Sequence, residues 1–596
     1  MLGNYEDLIS VQLDACSQFS NRPLFGAKQQ AGWQWTTYDD FRKLVGRCRA
    51  GLAGLGVKDG DTVAIVSRNS LEWAVACYAT YGLGATFVPM YEAQLESEIR
   101  YILEDSASKI VIASTPRVYD ALRRVQREVP SLERVIGVAL EEGHPDAFST
   151  LLDTGGEDDG PPRTPSPDSI AGLVYTSGTT GKPKGVLLSH RNLASNLNAI
   201  RAAFPISPEE RTLSVLPWAH AFGQTCELHY VISSGASTAI NDELAHLEMN
   251  LAEVRPTVFI AVPRILNALY EAVNERIDAA SPLVQRVFAD GTHAATKLHR
   301  GEPLSLKERI ELFVDDRTVY AKVRKQLGGR LKFIVSGSAS LSADVAEFID
   351  ALGIPVYEGY GLSETSPAVS TNCPGRTKAG TVGRPLPGVR IEVDRSVTGD
   401  ALVGELIVYG PNVMRGYKKR PEETAQALTP SGGLRTGDLG YLDEDGYLHV
   451  VGRIKEQYKL DSGKYVVPGP IEEQLSLSPY IASIMIYGEN RPYNVAVLAP
   501  NRAAIERWAR SRAIDGATAL ASKPVLDLLH TEILHHSRGL RSYEVPRRFI
   551  LAREEFATEN GLLTPTLKVK RQNVLALYRA ELEALYERLD AAPLRT

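Results

Sequence analysis

Residues 173–185 read Leu-Val-Tyr-Thr-Ser-Gly-Thr-Thr-Gly-Lys-Pro-Lys-Gly, an apolar strand that runs into a loop of glycines, hydroxyls and two lysines. Glycine permits turns that other residues resist and lets backbone N–H groups approach anionic oxygens. Lys182 is followed by proline, so the loop is not a Walker A motif. A flexible surface loop is the alternative, but the order of residue types after a strand favours triphosphate binding. The triphosphate-binding candidates here are Thr176, Ser177, Gly178, Thr179, Thr180, Gly181, Lys182 and Lys184.

Length and composition set the class of protein. A chain of 596 residues is too long for one hydrophobic core, so we expect a large domain and a smaller one. The content of 44% hydrophobic and 23% charged residues is typical of a folded protein. The net charge of -6 gives no general attraction to nucleic acid.

The cysteines and the N-terminus predict a cellular location. The five cysteines are scattered and lack any metal-ligand spacing, which favours a reducing compartment. The first residues contain no basic segment followed by an apolar stretch, so we expect no secretory leader, and no apolar run is long enough to cross a bilayer. We therefore expect a cytoplasmic protein, with peripheral membrane contact and a homodimer left open.

Three strand-helix-strand patterns predict mostly parallel sheets covered by helices. The first joins strand Thr62–Ser67, helix Ser70–Tyr81 and strand Ala85–Pro89. The second joins Leu331–Val335 to Ile354–Tyr357 through a helix that Ser342 caps, and the third pairs Thr257–Val262 with the helix after Arg264. The prediction is an α/β protein of doubly wound sheets.

The pattern changes after Arg453. A hairpin is expected from Ile481–Tyr487 and 494–499, followed by amphipathic helices that end near Gln572–Arg588. We therefore predict a large N-terminal domain, residues 1–453, with a small β subdomain, and a smaller mobile α+β domain, residues 454–596.

A second glycine loop follows Tyr357 and reads Tyr-Glu-Gly-Tyr-Gly-Leu-Ser-Glu-Thr. Tyr360 can stack on a purine, Glu364 offers a hard oxygen ligand for Mg²⁺, and Thr365 offers a hydroxyl for phosphate. Farther on, Asp438 follows Thr-Gly and can accept both ribose hydroxyls. A simple turn is the alternative for each segment alone; the combination favours a nucleotide site.

These motifs resemble, in order, those of the acyl-adenylate-forming superfamily, which includes acyl-CoA synthetases, peptide-synthetase adenylation domains and beetle luciferases. The hinge motif of that family matches Gly-Arg-Ile-Lys-Glu at 452–456, and its catalytic lysine matches Lys568 in Thr-Pro-Thr-Leu-Lys-Val-Lys-Arg at 564–571. The resemblance spans nearly the whole chain. Lys570 is the alternative if the register of the match shifts by two.

The resemblance implies roles for further residues. Lys568, Glu364 and Thr365 would be catalytic, Thr179 and Glu364 would hold Mg²⁺, and Lys455 would be the hinge. The remaining nucleotide ligands would be Gly337, Ser338, Glu358, Gly359, Tyr360, Gly361, Asp438 and Arg453. Ser462, Gly463 and Lys464 would line a coenzyme A tunnel after the C-terminal domain rotates.

The resemblance implies ATP-dependent activation of a carboxylic acid to an acyl-adenylate, then transfer to a thiol, most simply that of coenzyme A. The long helical stretch between residues 264 and 328 resembles long-chain fatty acyl-CoA synthetases. An apolar pocket lined by Trp218, His220, Phe222 and Gly337 would then select the chain length, because each buried CH₂ contributes about 0.8 kcal/mol. A packed core histidine is the alternative for His220.

Three other functions remain open at this point. A fatty acyl-AMP ligase would transfer the acyl group to a separate acyl carrier protein. A catalytically silent acyl-nucleotide-binding protein would not need Lys568. Luciferase-type oxygenation would require O₂ and emit light.

Overall fold

The computed structural model describes residues 3–156, 160–176, 183–299, 302–398, 400–512, 514, 520, 522–564 and 567–587. The strands of the larger N-terminal domain are β1 (Pro23–Gln29), β2 (Gly32–Thr37), β3 (Thr62–Val66), β4 (Thr86–Met90), β5 (Ile110–Ala113), β6 (Arg134–Gly137), β7 (Ile170–Thr176), β8 (Lys184–Ser189), β9 (Arg211–Ser214), β10 (Ser237–Ile240), β11 (Val258–Ala261), β12 (Phe333–Ser336), β13 (Val356–Gly361), β14 (Ala368–Thr371), β15 (Arg384–Pro385), β16 (Arg390–Asp394), β17 (Gly404–Tyr409), β18 (Gly416–Tyr417), β19 (Leu434–Leu442) and β20 (Leu448–Arg453).

The helices of this domain are α1 (Leu8–Gln18), α2 (Tyr38–Gly54), α3 (Leu71–Gly82), α4 (Glu96–Ser106), α5 (Pro116–Gln126), α6 (Phe148–Gly155), α7 (His190–Ala203), α8 (Ala221–Gly223), α9 (Tyr230–Ser234), α10 (Leu247–Val254), α11 (Pro263–Asp278), α12 (Pro282–His299), α13 (Leu306–Asp315), α14 (Ala321–Gln326), α15 (Ala343–Ala351) and α16 (Pro421–Ala427). A π-helical turn, Gln224–His229, joins α8 to α9, and another, Asp316–Tyr320, joins α13 to α14.

A seven-stranded sheet has the order β18-β8-β7-β4-β3-β5-β6. Its strands β3 to β6 are parallel neighbours, and every residue of β3 is buried. Such fully buried strands need helices on both faces, which explains their continuous apolar sequence. The first predicted strand-helix-strand unit, β3-α3-β4, is confirmed.

A five-stranded sheet has the order β11-β12-β13-β14-β15. Its first three strands run parallel, and the other two predicted units are confirmed there, although β13 ends at Gly361, four residues after the predicted end at Tyr357. The long stretch between β11 and β12 is helical, as expected, and contains α11 to α14.

Two four-stranded sheets complete the N-terminal domain. One has the order β2-β1-β10-β9. The other, β16-β17-β19-β20, is antiparallel and forms the small β subdomain that the sequence predicted.

The smaller C-terminal domain is α+β, which confirms the predicted fold class. Its elements are β21 (Tyr458–Lys459), β22 (Tyr465–Val466), α17 (Pro468–Leu475), β23 (Ile481–Tyr487), β24 (Val495–Pro500), α18 (Arg502–Arg510), α19 (Lys523–His536), β25 (Arg548–Leu551) and α20 (Arg571–Glu587). Strands β23 and β24 form the expected hairpin. None of the helices in the described ranges is both long and apolar enough to cross a bilayer.

The two domains contact each other directly. Leu477 packs into an apolar cluster of the N-terminal domain. Lys570 Nζ lies 3.2 Å from Glu98 Oε1 on α4, and an Arg507 nitrogen lies 3.2 Å from Glu275 on α11. These contacts hold the two domains against each other, and the boundary between the domains is called the cleft below.

Candidate active site

The cleft opens where the parallel strands β12 and β13 reach their carboxyl ends, the usual ligand edge of such sheets. Gly337 and Ser338 follow β12, and Ser338 has a positive φ of 73°. Gly361 ends β13, and a Cβ there would lie 2.0 Å from the Pro367 carbonyl oxygen. Protein packing alone therefore requires glycine at position 361. A Cβ on Gly359 would similarly crowd the Ser370 carbonyl oxygen at 3.2 Å.

Glu358 fixes the loop that contains Ser338. Its carboxylate accepts a hydrogen bond of 3.3 Å from the backbone N–H of Leu341. Burial raises the pKa of this carboxyl, and the bond from Leu341 opposes the rise. In this structure Glu358 holds a backbone loop.

Asp438 lies at the centre of a hydrogen-bonded trio. The Tyr360 hydroxyl donates to Asp438 Oδ2 at 2.6 Å, and Arg453 Nε lies 3.0 Å from Oδ1. Asp438 and Arg453 are direct partners on β19 and β20. Burial raises the pKa of Asp438, while Arg453 and the Tyr360 hydroxyl lower it. The trio joins the glycine loop to the small β subdomain.

Glu364 lies in a short turn after β13 and accepts a hydrogen bond of 2.9 Å from the Tyr417 hydroxyl. Lys184 Nζ lies 5.2 Å from the centre of the Tyr417 ring. Thr365 is completely buried, and its hydroxyl bonds to the backbone of its own turn, at Leu362 and Pro367. Thr365 therefore shapes the turn that presents Glu364, and a direct phosphate contact stays a prediction.

The first glycine loop is flanked by Thr176, at the end of β7, and Lys184, at the start of β8, which are partners across the strand pair. The pairing of β8 with β18 brings Tyr417 beside Lys184, on the side of Glu364. Of the residues between these strands, the six predicted ligands lie outside the described ranges, namely Ser177, Gly178, Thr179, Thr180, Gly181 and Lys182.

Lys568 reaches across the cleft from the C-terminal domain. Its ammonium group donates a hydrogen bond of 3.0 Å to the carbonyl oxygen of Ser338. The backbone N–H of Lys568 donates to Thr564 Oγ1, and Leu567 has a positive φ of 62°. Lys570 instead pairs with Glu98, so the structure favours Lys568 over Lys570 as the cleft lysine.

The surroundings of Lys568 depress its pKa. The side chain remains accessible from the cleft, but protein surrounds it, and desolvation is the largest cause of the lowering. The positive charge of Arg453 acts in the same direction, and the carboxylates of Glu473, Glu456 and Asp438 oppose it. A cation in this position gains from the arrival of an anion.

His220, Phe222 and Gly337 lie together near Lys568. His220 Nδ1 accepts a hydrogen bond of 3.2 Å from the backbone N–H of Phe222. Burial and the charge of Lys568 lower the pKa of His220 to about 4, so the imidazole is neutral near pH 7. A Cβ on Gly337 would lie 3.2 Å from Phe222 Cζ, so the ring lies against this glycine. A larger residue at 337 would displace the ring.

The position of Trp218 differs from the prediction that this side chain lines a pocket. It is completely buried and packs against Phe25 and Trp73. Its indole N–H donates to the buried carboxylate of Glu227 at 3.1 Å. The structure therefore places Trp218 in the core beneath the His220 loop. Its ring contacts residues that are distant in the sequence, so the local sequence could not predict this position.

Glu227 anchors the segment before His220. It accepts hydrogen bonds from the Ser214 hydroxyl at 2.5 Å and the Val215 N–H at 3.2 Å, besides the one from Trp218. Burial raises the pKa of Glu227 to about 8, and these donors limit the rise.

An apolar cavity of about 20 Å³ lies among α10, α11 and α15. This volume is close to that of a single water. Its lining includes Leu266, Tyr270 and Phe348. The cavity therefore cannot hold an acyl chain unless these helices move.

The remaining predicted residues lie away from the cleft. Lys455 is exposed in the turn between β20 and β21. Ser462, Gly463 and Lys464 form the exposed tip of the β21–β22 hairpin, where Lys464 Nζ lies 4.7 Å from the centre of the Tyr543 ring. The structure does not bring this tip to Lys568.

Tyr417, Glu456 and Glu473 surround the site but were not found from the sequence. Tyr417 reaches Glu364 through a strand pairing that joins distant segments, and Glu473 is hydrogen-bonded to Ser340 across the domain boundary. Burial raises the pKa of Glu473 to about 7, and the charge of Lys568 opposes the rise. No local motif marks these contacts.

The donor set near Glu364 suits Mg²⁺. Among the described residues, no cluster of three or more His, Cys, Asp or Glu side chains could hold a metal ion. Mg²⁺ is commonly bound by one or two carboxylates together with substrate phosphates, and Glu364 offers such a carboxylate. A nucleotide-dependent Mg²⁺ site therefore fits the residues present.

Comparison with known proteins gives a consistent result. The model of the AMP-binding enzyme family matches residues 14–418, and that of the AMP-binding enzyme C-terminal domain matches residues 455–590. The long-chain-fatty-acid–CoA ligase FadD15 of Mycobacterium tuberculosis is 33% identical over 571 residues, which cover 93% of each chain. The long-chain-fatty-acid–CoA ligase 1 of Homo sapiens is 29% identical and covers 95% of this chain and 84% of its own.

Solved structures share the fold. The adenylation domain of a carboxylate reductase from Mycobacterium chelonae has a TM-score of 0.80 at 23% identity, with 98% of this chain and 91% of that one covered. The anthranilate CoA ligase AuaEII, in complex with anthranoyl-AMP, has a TM-score of 0.73 at 18% identity, with 98% and 99% covered. The predicted resemblance is confirmed: the chain belongs to the AMP-binding enzyme family.

Proposed function

We propose that this protein is an AMP-forming long-chain fatty acid–coenzyme A ligase. It activates the acid with ATP to an acyl-adenylate and then forms the thioester with coenzyme A, releasing pyrophosphate and AMP. The observation that carries the proposal is Lys568, whose ammonium group enters a cleft between His220, Ser338 and Arg453. A protein that only binds nucleotide has no need for such a lysine. The names of the relatives support a long-chain acid.

In the first half reaction, a carboxylate oxygen of the acid attacks the α-phosphorus of ATP and pyrophosphate leaves. Two anions must approach each other, so positioning and countercharge lower the barrier. Lys568 bridges the acyl carboxylate and the α-phosphate, and Lys184 and Thr176 flank the other phosphates. Glu364 holds Mg²⁺, with Thr179 as a second candidate ligand, and the bound metal supplies charge neutralisation.

Tyr360, Asp438 and Arg453 bind the nucleoside. The Tyr360 ring lies against the adenine, and Asp438 accepts hydrogen bonds from the ribose hydroxyls. Both oxygens of Asp438 already bond to protein, which fixes the carboxylate before ATP arrives. Gly337, Ser338, Glu358, Gly359 and Gly361 form the loops around the nucleotide.

The acid enters beside His220, Phe222 and Gly337. The neutral imidazole of His220 adds no charge to this apolar wall. The ring of Phe222 must move to admit a long chain, because it already lies against Gly337. Chain length is then set by how far the surrounding helices separate.

The second half reaction requires a different arrangement of the domains. We propose a boundary at residues 453/454 and a rotation of the C-terminal domain about Lys455. The rotation withdraws Lys568 and brings the hairpin tip, Ser462–Lys464, towards the coenzyme A path. The exposed turn at Lys455 and the exposed tip are consistent with this motion.

Several finer properties follow as proposals. The five cysteines are all unpaired and buried, which fits a reducing, cytoplasmic compartment. Membrane contact is peripheral. Sedimentation of the purified protein over a range of concentrations tests for a homodimer.

The test is pyrophosphate and AMP release by purified protein with ATP, Mg²⁺ and acids from acetate to oleate, with and without coenzyme A. AMP release that needs a long acid and coenzyme A, and that is lost in Lys568→Ala, is the expected result. Lys570→Ala is the matched control: it loses the ion pair with Glu98 and should slow by no more than about fivefold, far less than Lys568→Ala. Pyrophosphate release that coenzyme A does not change would favour an acyl carrier protein as acceptor. Nucleotide binding without any product would favour the silent binding protein.

A further inference from the structure

Helix α13 presents an apolar face to solvent. Leu306, Ile310, Phe313 and Val314 are exposed by 76%, 56%, 55% and 42%. Their spacing of four, three and one residues places them on one side of the helix. Soluble proteins rarely leave such a contiguous apolar stripe uncovered without a function for it.

The opposite side of α13 explains why the stripe faces outward. Leu312 packs into the apolar cluster, Asp315 is buried against Gly291 of α12, and Glu308 pairs with Lys297 at 2.7 Å. These contacts fix the rotation of the helix on its neighbour. The apolar stripe is therefore held outward by the fold.

Cations border the stripe. Lys307 lies on one side and Arg309 on the other, and the Arg317 guanidinium lies 4.1 Å from the centre of the Phe313 ring. The acids of α13 are either on its packed side or, as Glu311, paired with Lys307 at 3.2 Å, so that pair adds no net charge and the positive charge of the stripe comes from Arg309 and Arg317. Residues 282–326 contain nine Lys or Arg and six Asp or Glu, although the whole chain has a net charge of -6.

We propose that the α13 face, defined as Leu306, Ile310, Phe313 and Val314 with Lys307, Arg309 and Arg317, docks on the surface of an anionic lipid bilayer. Apolar side chains at the centre of a helix face, flanked by basic ones, are typical of helices that lie in the membrane interface. The long stems of the basic residues let the charges reach lipid phosphates while the apolar groups enter the acyl region. A second copy of this chain is a poorer occupant, because a twofold contact would bring like charges together.

The inference rests on the proposed function in one respect: a long-chain acid resides largely in membranes, so docking would shorten its path to the site. Helix α12 contacts both α13 and α15, and α15 follows the Gly337–Ser338 loop. The docking face thus lies on the helical layer that covers the sheet of the active site.

The experiment is co-sedimentation of the purified full-length protein with vesicles of phosphatidylcholine, with and without phosphatidylglycerol. Ile310→Ser/Phe313→Ser should lower the partition coefficient by about tenfold or more. The matched control is Leu244→Ser/Met249→Ser, which removes two residues of similar exposure, 59% and 46%, outside α13 and should bind as wild type. Arg309→Glu replaces a positive charge by a negative one and should weaken binding to the anionic vesicles by more than about fivefold, the effect of losing one positive charge at such a surface.

Equal binding of the wild type and the α13 variant would overturn the proposal. So would concentration-dependent dimerisation, measured by sedimentation velocity, that the α13 variant loses, because the occupant would then be a second copy. Vesicle binding needs no catalysis, so the outcomes separate: ligase activity without vesicle binding refutes docking, whereas binding without ligase activity refutes the proposed function.

Discussion

The ion pair between Lys570 and Glu98 tests whether the arrangement of the two domains controls adenylation. Its atoms lie 3.2 Å apart, and the side chains are only 21% and 23% exposed. Lys570 follows Lys568 by two residues, so a rotation about Lys455 that withdraws Lys568 would also break the contact between Lys570 and Glu98. The pair should therefore stabilise only the adenylation arrangement.

The expected magnitude follows from this burial. A pair of this exposure contributes about 1 kcal/mol at most, which corresponds to a shift of about fivefold in the balance between two arrangements. Glu98→Gln should thus slow pyrophosphate release by about two- to fivefold. Glu98→Lys should slow it further, because two ammonium groups then face each other. The double variant Glu98→Lys/Lys570→Glu should recover most of the rate.

The assay measures the half reactions separately: pyrophosphate release from ATP and acid, and acyl-CoA formation from supplied acyl-adenylate. Only the first should slow. The matched control is Glu275→Gln, which removes the other domain-bridging pair, with Arg507; its side chains are 60% and 63% exposed, so little change is expected. Equal slowing of both half reactions, or no recovery in the double variant, would refute the reasoning.

Two further changes test buried carboxyl groups. Glu227→Ala leaves the Trp218 indole N–H and the Ser214 hydroxyl without their acceptor, so the His220 loop should loosen. In steady-state kinetics the KM for the acid should then rise more than the KM for ATP. A purely structural role would lower kcat and leave the ratio of the two KM values unchanged. The buried carboxylate oxygens of Asp315 lack a well-aligned hydrogen-bond donor, and burial raises the pKa of this group to about 7. Between pH 4 and 7 the carboxyl is ionised in the unfolded chain but protonated in the folded state, so the free energy of unfolding falls as the pH rises through this window. Asp315→Asn should remove this loss and stabilise α12 and α13 at pH 8 by about 1–3 kcal/mol, with little effect at pH 4, as measured by amide hydrogen exchange at matched pH.

The parallel sheets could be predicted because their strands are buried on both faces. Thr62–Val66 reads as a continuous apolar run between a turn and a helix cap, and this local signal sufficed. Helix ends were less certain: Ser342 does cap α15, but its side chain makes no capping hydrogen bond. The architecture thus depended on signals within a few residues.

Contacts within the site depend on register between distant strands, which local sequence does not encode. Asp438 was identified as a ribose ligand, but its pairing with Arg453 follows from the register of β19 and β20. Tyr417 was missed because only the pairing of β18 with β8 brings it beside Lys184. Trp218 was assigned to a pocket because an aromatic residue near His220 fits either a wall or a core, and only the fold decides.

The electrostatics of the cleft link the two proposed half reactions. Desolvation and the charge of Arg453 together lower the pKa of Lys568, and the carboxylates of Glu473 and Glu456 oppose this lowering only in part, since the pKa stays below its ordinary value. Under the proposed function, ATP adds phosphate charge between these cations and favours the arrangement in which Lys568 faces Ser338. Departure of pyrophosphate removes most of that charge, so the contact of Lys568 weakens once the acyl-adenylate has formed. The same desolvated lysine would then promote the first reaction and release the domain for the second.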